Sequence, residues 1–229
     1  MVLASGITFD VGGTLIRPWP SVGHVYADEA ARMGLSGLCP EDLSRRFGRE
    51  WGQRPDFDYS QSGWQSLVHA TFAGLIPEAV IPELFLALYR RFESETVWEV
   101  HPDVRPALAA LHDKGLRLGV ISNWDDRLRP LLSRLDLDCY FDPIIVSREV
   151  GLHKPNAKIF GMVAQAWGMP ASDIIHVGDQ VAADIEGARN AGFRALLVDR
   201  EKAPAKRGEL RDLRQLIEIL DRDEDRNTP

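Results

Sequence analysis

Five short apolar runs, at residues 6–9, 116–122, 143–147, 174–177 and 195–198, limit this chain more than any other feature of its sequence. The later runs are separated by helix-like segments, and strands that alternate with helices imply a mostly parallel sheet covered by helices. Residues 102–114 form one such helix, closed by Gly115. Leu210, Leu213, Leu216, Ile217 and Leu220 trace the apolar face of another near the C-terminus. Residues 17–96 break the alternation, with helix-like stretches at 21–33, 40–53, 61–74 and 82–94 and no convincing strand. That stretch holds eleven aromatic residues between Trp19 and Phe92, enough for a small core of its own. The expected fold is therefore α/β, a three-layered Rossmann-like parallel-sheet core over residues 1–16 and 97–229, with a helical domain inserted at 17–96.

The bulk properties narrow the function classes. With 229 residues, the chain suits one large domain carrying an insertion. Its 27 basic against 34 acidic side chains leave a formal charge of −7, which argues against a sequence-independent grip on nucleic acid or on an anionic membrane. Cys39 and Cys139 lie far apart without metal-ligand spacing, so both are expected to be buried thiols in a reducing compartment. No signal-like leader and no apolar run near the roughly 20 residues of a membrane span is evident, and a cytoplasmic protein is expected. The polar residues 221–229 are expected to fray.

In an open parallel sheet, ligands bind beyond the carboxyl ends of the strands. Asp10 follows the first run, Ser122 and Asn123 end the second, and Asp179 follows the fourth; Lys154 sits in Gly151-Leu152-His153-Lys154-Pro155, just before a helix. Two carboxylates meeting in one crevice repel each other and need a cation. A lysine and a hard divalent ion supply it, and magnesium, which keeps several waters and binds substrate phosphate at the same time, suits Asp10 and Asp179. Simpler roles compete. Ser122 and Asn123 would also serve to cap a helix beginning near Asp125, Lys154 would also serve as a solvated surface lysine, and Asp184 suits the first turn of a helix through the dipole alone.

Taken in order, Asp10-Val11-Gly12-Gly13-Thr14, Ser122-Asn123, Lys154-Pro155 and Gly178-Asp179 with Asp184 resemble the four motifs of the haloacid dehalogenase superfamily. The resemblance runs over nearly the whole chain, and residues 17–96 resemble the α-helical cap of the branch that includes phosphoglycolate phosphatases, haloacid dehalogenases and phosphonatases. It implies a magnesium-dependent hydrolase of a small phosphorylated metabolite, with a cap that opens and closes over the crevice. Asp10 would be the nucleophile that forms an aspartyl-phosphate, and Thr14 would orient the phosphoryl group. Asp10, the Gly12 carbonyl and Asp179 would hold the metal. Ser122, Asn123 and Lys154 would bind phosphate, with Asp184 supporting Lys154 or a metal-bound water. Its partners would be the small substrate alone, as a monomer or weak homodimer.

One position departs from the phosphatases of that superfamily. They carry a second aspartate two residues after the nucleophile, where this chain has Gly12, so the usual general acid is missing. Glu149 and His153 are candidates to replace it. Dehalogenases of the superfamily also lack that aspartate, which keeps a 2-haloacid dehalogenase open, although Asp179 retains the metal carboxylate they do without. A phosphonatase would need a cap lysine, and there is none between residues 16 and 96. A catalytically impaired phosphometabolite-binding module is the remaining alternative.

Overall fold

The computed structural model describes residues 4–200 and 209–225. In chain order it contains β1 (Gly6–Phe9), β2 (Ile16–Pro18), α1 (Val22–Arg32), α2 (Pro40–Gly52), α3 (Gln61–Phe72), α4 (Ile81–Arg91), β3 (Trp98–Val100), α5 (Val104–Asp113), β4 (Arg117–Ser122) and α6 (Leu128–Arg134). There follow β5 (Ile144–Val146), α7 (Ser147–Val150), α8 (Ala157–Trp167), β6 (Ile174–Gly178), a π-helical turn (Val181–Glu186), α9 (Gly187–Asn190), β7 (Arg194–Val198), β8 (Glu209–Leu210) and α10 (Arg214–Asp225). The chain divides into two compact units, residues 1–16 with 100–229 and residues 17–99.

The first unit is an α/β fold. Its sheet has the order β5-β4-β1-β6-β7-β8 with every pairing parallel. Strands β4 and β5 extend one side of β1 while β6, β7 and β8 extend the other, so the order of connection reverses between β1 and β6, the place where open parallel sheets bind ligands. Register brings the strand ends level: Phe9 pairs with Val120 on β4 and with Val177 on β6. Strands β1 and β6 are buried throughout, as covering both faces requires. Ile121, Ile159, Phe160, Val163, Ile174 and Phe193 form part of the core that holds α8 and α9 to the sheet.

The second unit is helical. Val25, Tyr26, Leu43, Phe72, Leu84, Phe85 and Leu88 are buried together, drawn from α1, α2, α3 and α4. Tyr26 stacks on Phe72 with ring centroids 5.5 Å apart. Strands β2 and β3 pair with each other, and Arg17 Nε meets Glu99 Oε2 at 2.7 Å.

Several expectations need correcting. The second unit ends at residue 99 rather than 96, because Val97 is buried in the helical core and Trp98 packs against it. Strands β2, β3 and β8, of two or three residues, are too short to reveal themselves by alternation. Leu210 belongs to β8, and α10 begins only at Arg214. The helix expected near Asp125 starts at Leu128: Asp125 Oδ1 accepts from Arg127 N at 3.1 Å, and the carboxylate pairs with the Arg127 guanidinium, which holds the intervening residues in a turn. Of the tail, α10 runs through Asp225, and residues 226–229 lie outside the described residues. Both cysteines are exposed rather than buried. Cys39 immediately precedes α2 and its thiol donates to Glu41 at 3.0 Å, while Cys139 lies in a surface 3₁₀ turn. Among the described residues no helix is long and apolar enough to cross a membrane.

Candidate active site

The C-terminal ends of β1, β4 and β6 bring Asp10, Ser122, Lys154, Asp179 and Asp184 together. Lys154, 3% exposed, donates to Asp10 Oδ1 and to Asp184 Oδ1, each at 2.6 Å. It is therefore no surface lysine. Ser122 Oγ donates to the same Asp10 oxygen at 3.1 Å, which leaves Oδ2 engaged by neither group. Asn123 does different work: its side chain donates to the Lys154 carbonyl at 2.9 Å and accepts from the Lys154 N–H at 2.8 Å. That two-way amide contact locks the end of β4 to the lysine's loop.

Asp184 does not sit in an ordinary helical first turn. It lies within the π-helical turn, 1% exposed, where Oδ2 accepts from Gln180 N at 2.9 Å and Oδ1 also meets His176 Nε2 at 3.2 Å. His176, fully buried in β6, reaches Thr8 Oγ1 through Nδ1 at 2.9 Å. A continuous polar chain thus runs from Thr8 through His176, Asp184 and Lys154 to Asp10. The sequence reading missed His176, although a polar residue inside Ile-Ile-His-Val, on a strand covered on both faces, is the signal that marks it.

Charge decides what this cluster can hold. Burial would lower the Lys154 pKa, yet its two carboxylate partners outweigh burial and raise it, so the ammonium is secure. Burial would raise Asp184, but Lys154 and His176 hold its carboxyl well below the usual range. Burial raises Asp10 in spite of Lys154, and burial lowers His176 in spite of Asp184. Asp179 is pushed up to about 8, by burial first and then by Asp10 and Asp184. Its Oδ1 is buried with no hydrogen-bond partner.

Oxygens of Asp10, Asp179 and Asp184 lie within 4.8 Å of one another, an acidic cluster that could hold a metal ion. The orphaned Asp179 oxygen and an all-oxygen donor set fit a hard divalent cation. Gly13, at φ +87°, takes a left-handed conformation, and any Cβ there would collide with the Asp179 carboxylate. Thr14 is fully buried and its hydroxyl likewise has no partner. The two candidate replacement acids are placed otherwise: Glu149 is held by Arg129 Nε at 2.9 Å through both oxygens, and His153 is exposed.

Comparison with known proteins is consistent across sequence and structure. The family model for haloacid dehalogenase-like hydrolases matches residues 4–192. Haloacid dehalogenase-like hydrolase domain-containing protein 3 of Danio rerio is 32% identical over 206 residues, covering 85% of each chain. Phosphatase MT3486 of Mycobacterium tuberculosis is 30% identical over 95% of this chain and 97% of its own. The crystal structure of a phosphatase from Thermococcus onnurineus superposes with a TM-score of 0.68 at 25% identity, over 94% of this chain and 97% of that one. A 2-haloacid dehalogenase from Pseudomonas syringae matches at a TM-score of 0.62 and 26% identity, over 97% and 99%.

Proposed function

This chain belongs to the haloacid dehalogenase-like hydrolases, and from that premise we propose that it is a magnesium-dependent phosphatase of a small phosphorylated metabolite, working through an aspartyl-phosphate on Asp10. The observation that carries the reading is Asp179. A further, partly buried carboxylate beside the nucleophile, with one oxygen buried and unpartnered and its pKa pushed up to about 8, is costly unless a cation is bound. Displacing a halide needs a nucleophile and room for a departing anion, and an extra carboxylate beside them opposes both. Phosphoryl transfer to Asp10 with a divalent cation calls for that carboxylate.

Asp10, the Gly12 carbonyl and Asp179 would hold magnesium, whose charge offsets that of the transferring phosphoryl group. Asp10 attacks phosphorus through Oδ2 while the bond to the leaving oxygen breaks, and water then releases phosphate and restores the carboxylate. Lys154 stays charged throughout and offsets the anionic nucleophile and substrate. Ser122, the Asn123 N–H and the Thr14 hydroxyl serve as donors to phosphoryl oxygens, and Asp184 acts through Lys154 by fixing its ammonium.

Phosphate release from a panel of phosphorylated metabolites and magnesium calorimetry test this reading together. Asp10→Asn should lower kcat by about 10⁴-fold or more, the scale of losing a covalent nucleophile. Asp179→Asn should cost on the order of 100-fold in magnesium affinity. Undiminished magnesium binding in Asp179→Asn, or halide release from 2-haloacids with every phosphate ester inert, overturns it.

A further inference from the structure

The space beside Gly12 is filled by another residue. Gly12 does not have a positive φ, so its own backbone does not exclude a side chain. What crowds the position is Trp124: a Cβ at Gly12 would lie 3.0 Å from Cζ3 of the indole, with Cη2 and Cε3 at 3.8 and 3.9 Å. The six-membered edge of the ring therefore rests on the loop that carries Asp10. Its backbone is pinned on both sides, for the N–H donates to Ser147 Oγ at 3.0 Å while the carbonyl accepts from that hydroxyl and from Arg148 N, each at 3.1 Å. Ser147 is buried, while the tryptophan itself is only half-buried. Val181, two residues past Asp179, is 55% exposed, the most open of the large hydrophobics described. A metal- and phosphate-binding site with an indole edge seated on the nucleophile's loop, and with an exposed aliphatic side chain two residues beyond Asp179, suits a ligand that is charged at one end and apolar at the other.

We propose that Trp124, assisted by Val181, is a specificity-determining residue that selects phosphate monoesters with a planar, apolar leaving group, of aryl or heteroaryl type, by packing the ring against the indole. The inference rests on the phosphatase reading and deepens it. Offset or edge-on packing of two rings accounts for the preference, and the absent side chain at residue 12 lets the indole reach the loop.

Phosphonates test this without turnover, so leaving-group basicity plays no part. The probes are phenylphosphonate and methylphosphonate, titrated calorimetrically into the magnesium-loaded full chain. Phenylphosphonate should bind the wild type more tightly, and Trp124→Ala should shrink the phenyl-to-methyl affinity ratio about 3- to 10-fold, the worth of one aromatic pair. Trp124→Phe should keep most of that ratio, and Val181→Ser should shrink it by a smaller factor. For phenyl phosphate hydrolysis the Trp124→Ala loss should fall mainly on KM. Should Trp124→Ala unfold, Trp124→Leu gives the same comparison with more packing retained. An unchanged ratio in a folded variant lacking the indole refutes the role of Trp124. If magnesium binds and neither phosphonate does, the phosphoryl site itself is wrong and the inference falls with it.

Discussion

A positioned general acid is typically worth about 10² to 10⁴ in rate, and Gly12 removes it from the place where the resemblance leads one to look. Glu149 pairs with Arg129 at the surface and His153 is exposed, and no hydrogen bond joins either side chain to this cluster among the described residues. On the phosphatase reading, a leaving oxygen that departs without this acid should make hydrolysis depend steeply on its basicity, with aryl and acyl phosphates far ahead of alkyl ones. Installing the acid crowds a neighbour, because the new Cβ meets the indole at 3.0 Å and the ring must give by a few tenths of an ångström. In a Trp124→Leu background, Gly12→Asp should raise kcat/KM for alkyl phosphates by up to about 10²-fold more than for aryl ones. Equal gains for both, measured on matched ester series, would place the proton donor elsewhere. Asp10, Ser122, Lys154 and Asp179 were visible from the sequence because each breaks a local pattern at a strand end or helix entry. Trp124 was not, since an aromatic residue in a loop reads equally well as packing.

Among elements, the π-helical turn after β6 matters most to the site, because it folds Asp184 back so that one carboxylate serves Lys154, His176 and Gln180 N. Elsewhere, joints between elements rest on single buried groups. Asp103, at the start of α5, does not cap its own helix; it accepts from Arg200 Nη1 at 2.8 Å and from Leu213 N at 2.7 Å, just before α10. Asp103→Ala leaves the Leu213 N–H buried and unpaired and removes one of the Arg200 partners. The expected cost is about 2–4 kcal/mol, which thermal unfolding should register as a fall of several degrees. A change below 1 °C would show that water or a neighbour replaces the carboxylate. Helix positions were readable because apolar faces repeat every turn, and their ends came within a few residues. The short strands and the π turn were not, since two to six residues carry no period.

On the scale of the whole molecule, the proposed magnesium site would set metal and proton in competition for Asp179. Its carboxyl, raised from 3.8 to about 8 in the metal-free protein, favours folding fully below the lower value, and that contribution is lost as pH rises toward 8. His176 runs the other way, because a lowered pKa costs stability as pH falls below about 6.5. Magnesium at that site would bind the ionised carboxylate, so the rise in Tm on adding saturating magnesium should grow from pH 5 to about 8 and then level off. In Asp179→Asn that growth should shrink, with Asp10 as the remaining raised carboxyl; a magnesium shift independent of pH in the wild type would separate the ion from Asp179. Much of the architecture lies in local pattern. Apolar runs alternating with helices dictate a parallel sheet, parallel strands put Asp10, Ser122 and Asp179 at one edge, and a long run of helical period marks a second unit. Register and packing between distant segments decided the rest. Asp10 and Ser122 are separated by 112 positions, and whether they touch depends on which residues of β1 and β4 lie level. The Asn123 clamp on Lys154, the polar chain through His176 and the indole over Gly12 likewise join groups from different strand ends. No local period encodes such contacts, because they arise only when the sheet closes and side chains compete for the same space.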